Sequence, residues 1–504
     1  MSTVANAVKV TVTTLGCARN EVDSSEIAAR LSTGGYELVA DQQDADVVVV
    51  NTCAFVADAK KDSIDTLLAA AETGAKVVAV GCLAERYGQE LAEALPEADA
   101  VLGFDAYPDL AGLVGSVVHG ERPAAHVPVD RRTLLPISPV SRGVAAGAVS
   151  VPGHSQVGAA GVPGASEIAQ GPVLLRRLLQ TGPVAPLKIA SGCDRRCTFC
   201  AIPSFRGAFV SRSPEEIVAE AAWLAEQGIR EIVLVSENST SYGKDLAGRD
   251  PLERLMAQLS GLTTTRPDGA PGRLVRVRLS YLQPAETRPT LVTAIANLPG
   301  VADYYDMSFQ HASEPVLRRM KRFGSRESFL ALTDQIRAAA PEAGIRSNVI
   351  VGFPGETEHD IAELEAFLVG ARMDAVGVFG YSDEDGTAAA DLDGKLDDDE
   401  IAARVARITD LVEELTAQRA EDRIGTEVLV LVDEQDPEDI AAGRTQTELV
   451  GRAEHQAPEV DGVTTLTGAG GLRPGDLVRA RVVGTEGIDL RADVLEVVDP
   501  AGSR

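Results

Sequence analysis

"SGCDRRCTFC", residues 191–200, sets three cysteines in eight positions, spaced by three residues and then by two. It directly follows PLKIA (186–190), a short apolar run with strand character. The chain has six cysteines, and the other three, Cys17, Cys53 and Cys82, stand far apart from each other. A chain of 504 residues with six cysteines is no disulfide scaffold, which would be short and cysteine-dense. Clustered cysteines in such a chain point to metal or redox chemistry.

Outward from this stretch, residues 186–416 alternate strand and helix patterns. The strand candidates are PLKIA, IREIVLVS, LVRVRLSY, YYDMSFQ, IRSNVIVG and AVGVFGYS. Helical runs such as PEEIVAEAAWLAEQ, PTLVTAIANL, EPVLRRMKRF and RESFLALTDQIRAAA lie between them. The fold class is α/β, and six such units predict a partial (β/α) barrel, since a full one has eight. Active sites of barrels gather at strand carboxyl ends, where Cys193, Cys197 and Cys200 begin. Zinc sites pair cysteines with a second distant pair, and the closest downstream histidine is His311. Three thiolates on a 4Fe–4S cluster leave one iron open for a substrate or cofactor. The C-x3-C-x2-C spacing at a barrel mouth therefore indicates radical S-adenosylmethionine (SAM) chemistry.

Residues 8–114 repeat another pattern three times. VKVTVTT, ADVVVVN and AKVVAVG end near Cys17, Cys53 and Cys82, and each is followed by a helical stretch, near 23–32, 58–72 and 84–94. Parallel strands carry ligands at one edge, so these cysteines are expected to converge although 36 and 29 residues separate them. Residues 116–185 read as a linker, with an insertion at 140–173 rich in Gly, Ala, Val and Pro and expected to be disordered. A helix near 397–420 leads to five short alternating strands in 423–498, a small β-barrel. The domains expected are thus 1–115, 116–185, 186–416 and 417–504.

Candidate cofactor contacts follow the strands. Phe199 could shield a cluster or simply pack in the core. Glu237 and Asn238 in SENS, Gln310 in QHAS and Gly352 in IVGFPGET could touch SAM or close loops. No apolar run reaches the length of a membrane span. The start, MSTVANAVKV, lacks a signal-peptide pattern, so a cytoplasmic location is expected.

TLGCARNEVDSSE, NTCAFV, GCLAERYGQEL, KIASGCDRRCTFCAIPSFRG, SYGKDL, FQHASEPVLRRM, IVGFPGETEHD and VGVFGYSDEDGT together resemble the methylthiotransferase family of the radical SAM superfamily. The resemblance implies an amino-terminal domain holding a second 4Fe–4S cluster on Cys17, Cys53 and Cys82. It also implies a SAM-cleaving cluster on Cys193, Cys197 and Cys200, and a carboxy-terminal TRAM domain. It further implies a transferase that inserts a methylthio group at the β-carbon of an aspartate in ribosomal protein S-twelve of the small subunit. An electron donor such as flavodoxin or ferredoxin would supply reducing equivalents. A transfer-RNA adenosine methylthiotransferase and an Fe–S electron-transfer protein are the alternatives. Charge separates the two methylthiotransferase readings. The chain carries a net charge of −28, and residues 417–504 hold 9 Arg, no Lys and 18 Asp plus Glu, a net of −9. Such a module repels phosphates and suits a basic protein, while plain solubility explains it as well. The run Arg318, Arg319, Lys321 and Arg322 offers an RNA patch or a solvated helix face.

Overall fold

Val47–Val50 and Val77–Val80 are almost wholly buried, which is what near-continuous β-branched runs give in a parallel sheet covered on both faces. The computed structural model describes residues 7–133, 176–180, 182–264, 274–433, 448–458 and 461–501. The 140–173 insertion lies outside the described residues. The chain divides into two compact units: residues 1–180 with 190–195 and 200–212, and residues 181–189 with 196–199 and 213–504.

In the first unit, β1 (Lys9–Thr14), β2 (Glu37–Leu38), β3 (Val47–Thr52), β4 (Lys76–Gly81) and β5 (Ala100–Val101) form one parallel sheet in the order β2-β1-β3-β4-β5. The helices α1 (Ala18–Thr33), α2 (Ala57–Glu72), α3 (Cys82–Ala94) and α4 (Leu110–Val118) connect and cover it. Helix α1 starts well before the residue 23 expected from apolar periodicity. Its first turns are polar, and Asn20, Asp23, Ser24 and Ser25 are buried, so hydropathy hides them. The unit also runs on beyond residue 115. The His126 amide donates to Val101 O at 3.0 Å. Arg131 forms a buried ion pair with Glu85 at 2.7 Å. A buried pair like this holds its segment firmly, because separating the charges leaves one of them buried and unpaired.

In the second unit, six strands run parallel in two sheets. One has the order Arg276–Leu279, Glu231–Val235, Val184–Lys188, and the other Tyr304–Gln310, Gly344–Val351, Ala375–Gly380. Parallel bridges Val277–Val301 and Leu282–Met307 link the two. Helices such as Pro214–Glu226, Arg326–Ala339 and Glu358–Ala371 connect strands, each entered through a capping box at Ser213, Ser325 or Thr357. This is the partial (β/α) barrel expected. After the helix Asp398–Glu421, five strands close a small barrel: Glu427–Val432, Glu448–Ala453, Thr464–Thr467, Leu477–Glu486 and Asp489–Asp499. Glu231 anchors the small barrel through two arginines. It pairs with Arg276 at 3.0 Å and Arg278 at 2.7 Å, which donate onward to Leu429 O and Glu454 O. No described helix is long and apolar enough to cross a membrane.

Candidate cysteine sites

Strands β1, β3 and β4 are neighbours in the sheet, and a cysteine follows the carboxyl end of each. Cys17 is the N-cap of α1, Cys53 directly follows β3, and Cys82 opens α3. Cys53 and Cys82 are buried and Cys17 is partly so. The thiols lie within one another's electrostatic reach. Two glycines permit the approach. A Cβ on Gly16, whose φ is +94°, would stand 2.9 Å from Cys53 Sγ. One on Gly81, at φ +89°, would stand 2.2 Å from Asn51 Oδ1.

The polar face of α1 closes the back of this site. Asn20 Nδ2 donates to Leu15 O and Thr52 O, fastening the helix start to two strand ends. Asn51 Nδ2 donates to Asn20 O and Ser24 Oγ. Ser63 Oγ accepts from the Cys53 amide and donates to the Cys53 carbonyl, holding that turn at both ends. Two arginines face the sulfurs. Arg19 Nε lies 3.3 Å from Cys17 Sγ. Arg206 Nη2 lies 3.1 Å from Cys82 Sγ and donates to Asn20 Oδ1 at 2.8 Å, while Nη1 pairs with Asp23 at 2.9 Å.

The charges act on the thiols against burial. Burial pushes the Cys82 thiol up to about 11, with Arg206 opposing. Burial likewise raises Cys53. At Cys17 the same burial is outweighed by Arg19 and Arg206, which hold the thiol below its ordinary value.

The site fits an anionic, sulfur-rich group better than an apolar one. The Tyr107 hydroxyl and Asn51 Oδ1 are buried without a hydrogen-bond partner. Tyr107 sits where Asp23, Arg206 and Cys82 all act on it. Buried polar atoms are normally paired, so two orphans here suit a polar neighbour better than an apolar one. Among the described residues, no three His, Cys, Asp or Glu side chains close on a single-ion position.

Cys193, Cys197 and Cys200 of the contiguous stretch are each partly exposed. Within the first unit, Ala190–Ser191 pairs antiparallel with Val210–Ser211. The Cys193 amide donates to Gly207 O, and the Phe209 amide to Asp194 Oδ1. The short helix Ile202–Arg206 follows Cys200. Within the second unit, Thr198 donates from its amide to Met320 O and from its hydroxyl to Arg319 O, and accepts from the Ala389 amide. Arg322 Nη1 stands 3.7 Å from Cys197 Sγ.

The candidate SAM contacts separate by what already engages them. Phe199 packs edge-on against Phe353, with ring centroids 6.5 Å apart. Asn238 is buried and bonded to Ser241, Glu286 and Thr240, so its side chain is committed to shaping its own loop. The Gly352 amide donates to Glu356 Oε1, which Arg404 also holds. Burial pushes the Glu356 carboxyl up, but His311 and Arg404 outweigh it and keep it below the usual range. Glu237 is half-buried beside Asn238. Gln310 ends its strand at φ +70° beside a register shift, a strained backbone at a strand carboxyl end. In the basic run, Arg318 pairs with Glu314, Arg319 donates to Pro354 O and Asp393, and Arg322 to Ser308 O and Cys197, so three of its four charges have partners inside the unit.

Sequence reasoning missed Arg206, Asp23, Asn20, Asn51 and Tyr107. The signal was a charged and amide-rich face on a helix that had to be buried.

The family models bear on the same regions. The uncharacterized protein family UPF0004 matches residues 9–103, the radical SAM superfamily residues 187–368, and a TRAM domain residues 424–495. The chain is 60% identical to the ribosomal protein uS12 methylthiotransferase RimO of Saccharopolyspora erythraea, over 100% of this chain and 97% of that one. It is 59% identical to the protein of the same name from Nocardioides sp., over 97% and 98%. Among solved structures, the radical SAM methyltransferase TsrM from Kitasatospora setae aligns with a TM-score of 0.52 at 16% identity, over 76% of this chain and 77% of that one, which is a likeness of fold. With two relatives near 60% identity over their whole length, the chain belongs to the RimO family of radical SAM methylthiotransferases, and its cofactors are SAM and 4Fe–4S clusters.

Proposed function

We propose that the enzyme exchanges one hydrogen on the β-carbon of an aspartate in ribosomal protein uS12 for a methylthio group. Cys193, Cys197 and Cys200 would hold the SAM-cleaving cluster, and Cys17, Cys53 and Cys82 the sulfur-donating one. The observation that carries this reading is the meeting of Cys17, Cys53 and Cys82 at three neighbouring strand ends inside a buried polar shell. When bound, the clusters and SAM supply the radical cleavage of an unactivated C–H bond and the sulfur that replaces it.

The protein's own residues bind, orient and shield. Arg19 and Arg206 offset the negative charge of three thiolates in a poorly hydrated place. Asn20 and Ser63 fix the turns that present Cys17 and Cys53. Thr198 fixes the turn between Cys197 and Cys200, and Phe199 packs with Phe353 beside it. Phe199, Glu237, Asn238, Gln310 and Gly352 are the candidates for SAM contact, with Asn238 and Gly352 also bonded within their own loops.

The substrate follows from charge as well as kinship. The carboxy-terminal module has a net charge of −9, which attracts a Lys- and Arg-rich ribosomal protein and repels RNA. A flavodoxin or ferredoxin would deliver electrons in the cytoplasm. The test is a competition in which reconstituted enzyme, SAM, sulfide and reductant are given uS12 and bulk transfer RNA together at physiological salt. Methylthiolated aspartate in the uS12 peptide is expected by mass spectrometry. Modified transfer RNA with unmodified uS12 would overturn the reading.

A further inference from the structure

Arg206 lies six residues after Cys200, inside the stretch that matches the radical SAM family, yet its guanidinium ends at Cys82. Four contacts fix it. Nη1 pairs with Asp23 at 2.9 Å, Nη2 donates to Asn20 Oδ1 at 2.8 Å and to Cys82 Sγ at 3.1 Å, and the carbon of the guanidinium sits 4.8 Å over the Phe104 ring. The arginine side chain is 4% exposed and that of Asp23 is 0%. A planar fork held this way cannot swing off the sulfur, as a lysine could.

A buried cation that donates to a ligand sulfur has a definite effect on a cluster. It withdraws electron density from the thiolate and favours the state with one more electron, so the reduction potential rises. Asp23 works against it, because a carboxylate beside the guanidinium cancels part of its field at the sulfur.

We propose that Arg206 is a positioning residue that raises the reduction potential of the cluster held by Cys17, Cys53 and Cys82, with Asp23 as its counterweight. The inference rests on the reading of those cysteines as a cluster site. It assigns to the short helix after Cys200 a second task, that of setting the electronic state of the sulfur-bearing site.

The test uses the full chain with Cys193, Cys197 and Cys200 changed to alanine, so that one cluster of about four irons remains. Reduction is followed by electron paramagnetic resonance during a potentiometric titration. Arg206→Gln is expected to shift the midpoint to a more negative value, and Asp23→Asn to a more positive one. Arg206→Lys, which keeps the charge and loses the fork, is expected to fall between Arg206→Gln and the parent. The opposite signs matter, because mere loosening of the site would move both variants the same way. Unchanged midpoints, or shifts of one sign, would overturn the proposal. Loss of iron from both Arg206 variants in a folded chain would also overturn it, making Arg206 a residue that holds the cluster and does not tune it. Should Arg206→Gln not fold, the positive shift of Asp23→Asn decides. A parent that binds no iron would instead refute the cluster assignment itself.

Discussion

Buried arginines occur in both compact units, and they face different partners. In the second unit they face carboxylates. Glu231 holds Arg276 and Arg278, Glu356 holds Arg404, and Asp374 is surrounded by Arg337, Arg419 and Arg423. These pairs tie strands, the long helix Asp398–Glu421 and the small barrel together. In the first unit, Arg131 is of that kind, completed by Glu85 and Asp105. Arg206 is not, because part of its fork is spent on a thiol. The same side chain at the same burial is structural where carboxylates complete it, and belongs to the site where sulfur does.

The largest expected effect breaks the comparison at the sulfurs. Replacing Cys193, Cys197 and Cys200 together with alanine should remove about half of some eight irons and abolish both SAM cleavage and methylthiolation. Iron analysis and assay of 5′-deoxyadenosine check this. A full iron load in that variant would show that these cysteines hold nothing.

Next comes a purely structural arginine cluster. Asp374→Asn leaves Arg337, Arg419 and Arg423 gathered without their common counter-ion, and should cost about 3–5 kcal/mol by denaturant unfolding, with cluster content unchanged. Its pH dependence has a fixed sign. Burial pushes the Asp374 carboxyl up, but Arg423, Arg419 and Arg337 outweigh it and hold it well below the usual carboxylate range. A depressed folded-state value stabilises above the unfolded value of about 3.9 and fades as pH falls below it. The gap between parent and variant should therefore be complete at pH 7 and shrink only under pH ~4. A gap that widened on acidification would contradict the assignment.

The smallest effect lies at the surface. Arg407 pairs with Glu365 at 2.7 Å, but its side chain is 46% exposed. Arg407→Ala should cost about 0.2–1 kcal/mol and leave activity alone, since solvent screens such pairs. A loss of several kcal/mol would mean that exposure does not separate the arginine classes.

The contrast also explains what the sequence made legible. Cys193, Cys197 and Cys200 are contiguous, so their spacing alone carries a chemical reading. Cys17, Cys53 and Cys82 became readable only through the repeated strand–helix pattern, which sends three strand ends to one edge. Five alternating strands announced the small barrel. The start of α1 was hidden because Arg19, Asn20 and Glu21 break the apolar period exactly where the site needs polar groups. Arg206 was hidden for another reason. Its partners Asn20, Asp23 and Cys82 are 186, 183 and 124 residues away, and only the folded chain brings them together. The loops at Asn238 and Gly352 were visible as glycine and amide motifs, but the hydrogen bonds that fix them to Ser241, Glu286 and Glu356 are ones no spacing reveals.

The central claim is that the two cysteine sets do separate work. The most direct test is one reaction of the Cys17→Ala/Cys53→Ala/Cys82→Ala variant with SAM, reductant and uS12, in which 5′-deoxyadenosine and methylthiolated uS12 are measured together. The account predicts that SAM cleavage persists while the methylthiolated product vanishes. Loss of both from a folded variant that keeps its other cluster would contradict it.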